Sequence, residues 1–89
     1  MLKNDIGNVS LWLMVRVLFF GELREITGCG EHTSETLADS KMLIATVLEQ
    51  WPLLSAKTFS IAVNRKIQSK NIPLKDGDEI ALMPPFSGG

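Results

Sequence analysis

The sequence holds a single cysteine, Cys29, which excludes an internal disulfide framework and any zinc site built from several thiolates. It has no excess of either charge: nine Lys and Arg residues stand against ten Asp and Glu, for a net charge of −1. A nucleic-acid binder needs a basic face, so no nucleic-acid partner is expected. No apolar run is long enough to cross a bilayer. The longest, VSLWLMVRVLFF from Val9 to Phe20, falls short of the roughly 20 residues of a spanning helix and is interrupted by Arg16. As an export signal it has only Lys3 before it and no small-residue cleavage site after it. No membrane association is expected, and the expected location is the cytoplasm. Repeats and low-complexity segments are also lacking.

Side-chain catalysts are equally scarce. Cys29 sits in the glycine-flanked loop TGCGE, with His32 the one histidine in the chain. A nucleophilic thiol needs an adjacent base and a group that orients the base, and a loop spacing of three supplies neither. Glu31 and Glu35 do not complete a ligand set around His32, which reads as part of a solvated polar strand. KDGDE, from Lys75 to Glu79, lacks the spaced oxygens of a calcium loop and reads as a hairpin turn. The Gly28 and Gly30 pair has no helix after it to cradle a phosphate. No bound cofactor and no metal is expected.

What the sequence does contain is one domain. A hydrophobic share of 45% and a charged share of 21% are those of an ordinary globular chain, and 89 residues leave no room for a second core. Residues 1–13 form an N-terminal extension, either disordered or prolonging the first strand. In the strand, Val15, Val17 and Phe19 fall on one face, and Arg16, Leu18 and Phe20 on the other. GELREITG gives about two helical turns with Leu23 and Ile26 on a shared face, and CGEHTSETLA gives an edge strand antiparallel to the first. A long helix starts at a cap provided by Asp39 or Ser40. Ile44, Val47, Leu48 and Trp51 make its buried stripe, Met42 lies in or at the margin of the core, and Pro52 ends it. FSIAVN alternates with Phe59, Ile61 and Val63 on one face; NRK turns into a short strand through Ile67. Asp76-Gly77 then turns into a last strand from Glu79 to Met83. Such an order suits an α+β domain in which a four- or five-stranded mixed sheet packs on one long helix. Placing the first and last strands parallel and adjacent buries both apolar runs mid-sheet, which is the β-grasp arrangement.

After the domain at 14–83 comes PPFSGG, residues 84–89. Pro84 and Pro85 deny further pairing and hold the chain extended, so this segment reads as a flexible tail aimed away from the body. Gly88 and Gly89 lack Cβ atoms and fit a channel too narrow for other residues. With no side-chain catalyst in view, the terminal carboxylate is the remaining candidate for a reactive group.

VRVLFFGELREITG at 15–28 and IAVNRKI with PLKDGDEIALMPPFSGG at 61–89 closely resemble the small, sulfur-carrying subunits of molybdopterin synthase, a ubiquitin-like β-grasp family. The resemblance covers about residues 14–89 and is weakest between Cys29 and Phe59. It implies that an activating enzyme resembling the ubiquitin activators uses ATP to adenylate the Gly89 carboxylate, the only nucleotide binding implied. A sulfurtransferase-fed step then gives a thiocarboxylate. Gly88 and Gly89 thread into the large catalytic subunit, where sulfur passes to cyclic pyranopterin monophosphate during molybdenum cofactor biosynthesis. The chain would then be a non-catalytic sulfur donor in a heterotetrameric transferase. The resemblance further implies a partner-facing set of Phe20, Arg24, Ile67, Met83, Pro84, Pro85 and Phe86. The family's chains generally start near Met14, which leaves residues 1–13 as an upstream start or a leader. Thiamine-thiazole sulfur carriers, which share the Gly-Gly end but lack the Pro-Pro step, ubiquitin-like protein modifiers, and a plain binding module with a dispensable tail are the rival readings.

Overall fold

Alternation governs the first strand, β1 (Met14–Phe19): Val15, Val17 and Phe19 are buried, while Arg16 is exposed. The structure is a computed structural model and describes residues 14–35 and 38–85. The expected extension at 1–13 and the end of the tail, Phe86 to Gly89, lie outside the described residues. After Gly21 the chain makes a short helix, α1 (Glu22–Thr27), which buries Leu23 and packs Ile26 against the core. Strand β2 (Glu31–Glu35) returns antiparallel to β1, from Leu18↔Glu31 to Met14↔Glu35.

The second helix, α2 (Ser40–Gln50), begins at Asp39, whose carboxylate accepts the Met42 amide at 2.9 Å. Asn71 clips the same end from a distant loop, accepting the Lys41 amide at 2.7 Å and the Ser40 hydroxyl at 3.1 Å. At 11 residues α2 is shorter than the long helix expected. Its innermost line is Leu43 and Val47, with Ile44, Leu48 and Trp51 partly buried beside it. Met42, expected in or beside the core, is 50% exposed because it lies on the opposite side of the helix from that line. Pro52 opens a 3-10 turn (Pro52–Ala56) that buries Leu54.

Strands β3 (Ser60–Val63), β4 (Lys66–Gln68) and β5 (Glu79–Met83) complete a five-stranded sheet in the order β2-β1-β5-β3-β4. β1 and β5 are parallel, from Arg16↔Glu79 to Phe19↔Leu82, and every other pairing is antiparallel. Val17, Ile80 and Leu82 therefore sit mid-sheet under the helices with no exposed surface beyond a trace. Each such side chain stabilises the fold by about 1.5–3 kcal/mol relative to exposure. Asn64 and Arg65, both at positive φ, form the two-residue turn between β3 and β4.

The turn at Asp76-Gly77 is present, but it is not a hairpin, because β3 lies between β4 and β5. It latches onto the start of β1 instead: the Met14 amide donates to Asp76 Oδ1 and the Gly77 amide to the Met14 carbonyl, both at 2.8 Å. Asp78, only 5% exposed, accepts from Asn64 Nδ2 at 2.9 Å and from the Lys75 amide at 2.8 Å. These carboxylates are spent on the chain's own donors. Asp78→Ala strands two donors in a nearly dry site and is expected to cost about 3 kcal/mol, with Asp78→Asn costing roughly half. Urea unfolding reads this as a lowered midpoint at unchanged slope; a loss under about 1 kcal/mol for Asp78→Ala contradicts it.

Candidate functional site

Among the described residues the helices cover one face of the sheet and no element covers the other. Strand parity puts Arg16, Leu18 and Phe20 on the open face, and the register carries that parity across. Glu31, Leu18, Ala81, Ala62 and Ile67 form one row over all five strands. Met83 and Ser60 pair in the next row, beside Phe20, whose amide donates to the Leu82 carbonyl at 3.1 Å. Phe20 is 46% exposed, Ile67 is 65% exposed, and Met83 is half-buried. The centre of the face is lined by the small Ala62 and Ala81, so larger residues stand around a shallow middle. Three strand spacings, about 14 Å, separate Phe20 from the strand that holds Ile67.

Phe20, Ile67 and Met83 were expected together, and one sheet face does hold all three. Arg24 does not join that face. It lies on α1 along the Gly28–Gly30 loop, where a Cβ added to Gly30 would stand 3.2 Å from its Nε. That places it at the rim near Phe20, since the Phe19 amide donates to the Gly30 carbonyl at 3.0 Å. Pro84 is half-buried and Pro85 exposed at the end of β5. Phe86, Gly88 and Gly89, also expected in the site, lie outside the described residues.

The far end of the same face is charged. Arg16 pairs with Glu31 at 3.1 Å and Glu79 at 3.7 Å, and Arg65 reaches Glu79 at 4.0 Å. The hydrogen bond to Glu31, followed by that carboxylate's charge, raises the Arg16 pKa above its ordinary value. Exposed pairs of this kind contribute little stability. Their consequence is a polarity gradient: ionic where β1 and β5 begin, apolar where the tail leaves.

The side-chain candidates set aside on sequence grounds remain unsuited to catalysis. The Cys29 thiol has Thr27 Oγ1 as its polar neighbour at 3.8 Å, and threonine is not a base. His32 is half-buried rather than solvated, its ring edge-on to Trp51 at 5.1 Å. Trp51 also meets Phe19 edge-on at 5.1 Å, so the histidine caps an aromatic stack. A cavity of about 270 Å³ between α2 and the β3–β4 edge is lined by Ile44, Ile61, Lys41 and Lys70 among others. None of the described residues expected at the site lines it. Among the described residues no helix is long and apolar enough to cross a membrane.

One residue of the tail's surroundings escaped the sequence reading. Gly21 closes on Pro84 so tightly that a Cβ at Gly21 would lie 2.8 Å from the proline Cγ. A glycine between a strand and a helix marks a turn, but its contact lies 63 positions on and carries no local signal.

The profile of the ThiS family matches residues 17–89. The molybdopterin synthase sulfur carrier subunit of Chlamydomonas reinhardtii is 38% identical over 84 residues, covering 86% of this chain and 100% of the relative. In a solved complex of subunits 1 and 2 of the molybdopterin-converting factor of Helicobacter pylori, a chain 37% identical superposes with a TM-score of 0.66, over 85% of this chain and 99% of that one. Small archaeal modifier protein 1 of Methanosarcina acetivorans gives a TM-score of 0.74 at 24% identity, over 85% of this chain and 96% of that one. At that identity the last likeness establishes the β-grasp fold alone.

Proposed function

The chain belongs to the ThiS family, and from that premise we propose that it is the sulfur-carrying subunit of a molybdopterin synthase, with the Gly89 carboxyl group as the carrier. The observation that supports this most is the extent of the match: the family profile runs to residue 89, through the Pro-Pro step and the Gly-Gly end. The relative from Chlamydomonas is covered over its whole length.

The chemistry divides between partners. The Gly89 carboxylate attacks the α-phosphorus of ATP on an activating enzyme, pyrophosphate leaves, and a persulfide on a sulfurtransferase displaces AMP to form an acyl disulfide. A second thiol cleaves its S–S bond, forming a disulfide with the sulfurtransferase cysteine and releasing the thiocarboxylate. The acyl adenylate is the electrophile that a free carboxylate is not. The resulting thiocarboxylate enters the large subunit and gives its sulfur to cyclic pyranopterin monophosphate in the cytoplasm. Two glycines let the terminus pass through a channel that excludes water from the reacting group. The open sheet face supplies the grip, with Phe20, Ile67 and Met83 as apolar contacts, Arg24 as a cation at the rim, and Pro84, Pro85 and Phe86 leading into the channel. An exposed apolar patch of this kind marks a protein interaction surface.

Reconstitution tests the assignment. The thiocarboxylated chain, mixed with a molybdopterin synthase large subunit and cyclic pyranopterin monophosphate, is expected to yield molybdopterin. A chain that binds no large subunit but supplies sulfur to thiazole synthesis would move the assignment to the thiamine branch.

A further inference from the structure

The β1–β5 ladder stops at a joint whose parts fit one another. Phe20 donates its amide to the Leu82 carbonyl at 3.1 Å, the last bond of the parallel pairing. The next donor on β5 belongs to residue 84, a proline, which has no N–H. The Phe20 carbonyl accepts the Leu23 amide instead, at 3.1 Å, and this bond starts α1. Between them Gly21 takes φ 58 and ψ −136, a conformation open to glycine and strained for any other residue. Its bare Cα is the floor on which Pro84 rests: an added Cβ would meet Pro84 Cγ at 2.8 Å and Cδ at 3.3 Å.

From this joint we infer that Gly21 is a positioning residue for the sulfur-carrying tail. The absent side chain seats the Pro84 ring and so sets the direction in which the last residues leave the sheet. The inference rests on the reading of Gly89 as the carrier. Pro85 holds Pro84 extended, so the direction set at the seat passes along a stiff step. Five residues beyond Pro84 span at most about 17 Å, so the position of Pro84 bounds where the terminus can reach. Ordinary carbon contacts begin near 3.5 Å, so a Cβ at position 21 pushes the ring by about 0.7 Å.

The test compares thiocarboxylated wild type, Gly21→Ala, Pro84→Ala and the double variant in single-turnover sulfur transfer, at saturating large subunit and a temperature where each is folded. Gly21→Ala is expected to slow the saturated rate by about 10-fold or more while large-subunit affinity stays within about 3-fold, since misplacement near 1 Å costs up to about 100-fold in rate. The double variant is expected to be no slower than the worse single variant, because both act through one contact. In the wild-type chain, a nuclear Overhauser contact between Gly21 Hα and Pro84 Hγ is expected whether or not Gly21→Ala folds. A merely structural role would lower the melting temperature and leave the saturated rate unchanged. That result, multiplying effects in the double variant, or an absent Overhauser contact overturns the seat. Wild-type carrier that transfers no sulfur overturns the carrier reading and the seat with it.

Discussion

Removal of Gly89 alone is expected to leave the fold intact and to reduce sulfur transfer by at least about 100-fold. The two halves of this expectation have separate causes. Among the described residues every fully buried core side chain lies between Val15 and Leu82, and Gly89 has no side chain to remove. A change away from the core shifts stability by no more than about 0.5 kcal/mol, or about 3 °C in a domain of this size. Transfer depends on where the terminal carbon sits. Deleting one residue shortens the tail by about 3.5 Å, several times the displacement that already costs about 100-fold. Adding one residue after Gly89 displaces the carboxylate in the opposite sense and is expected to be nearly as damaging. Thermal melts and single-turnover transfer on the same samples separate the effects. A fall of more than about 8 °C in the melting temperature would argue against a tail that stands clear of the body.

Ile67→Asp and Phe20→Asp are each expected to weaken binding of the large subunit by about 100-fold, equivalent to roughly 2.7 kcal/mol. Both side chains are exposed in the free chain, at 65% and 46%, so a carboxylate there meets water and the fold tolerates it. In the proposed complex the same carboxylate would be taken out of water, which costs several kcal/mol before relaxation. Lys41→Glu, beside the cavity on the helix side, serves as the control and is expected to leave affinity unchanged. Titration calorimetry with the isolated large subunit gives the numbers. Equal affinity for the wild type and Ile67→Asp would show that the partner grips another face.

The sequence made some of this legible and hid the rest for physical reasons. The buried run Val15, Val17, Phe19 and the run Ile80 to Leu82 are each too apolar for an edge, and pairing them in the middle of the sheet was the solution that buried both. Asp39 as a cap and Pro52 as a stop are local signals, and the ends of α2 follow them. Non-local consequences were hidden. KDGDE reads as a hairpin from its residue types, yet β5 passes β4 to lie between β1 and β3, and local chemistry cannot report that choice. Apolarity puts Met42 in or at the margin of the core, since it does not say which side of a helix faces the sheet; the side chain is 50% exposed. His32 looked solvated because its neighbour on the strand is polar, while its partner Trp51 arrives from the far end of α2. For the site, Phe20 and Met83 were grouped by the family resemblance, and the register of β1 on β5 is what puts them on one face. The seat of Pro84 on Gly21 joins residues 63 positions apart and leaves no local signal.

The central claim is that sulfur is carried on the Gly89 carboxyl group. Intact-mass measurement after incubation with a ubiquitin-activator-like adenylating enzyme, ATP and a sulfur donor tests it most directly. A mass gain equal to the exchange of one oxygen for sulfur is expected, located to Gly89 by fragmentation and lost when Gly89 is deleted. An unchanged mass, or conjugates in which Gly89 is joined to protein lysines in place of that exchange, would contradict it.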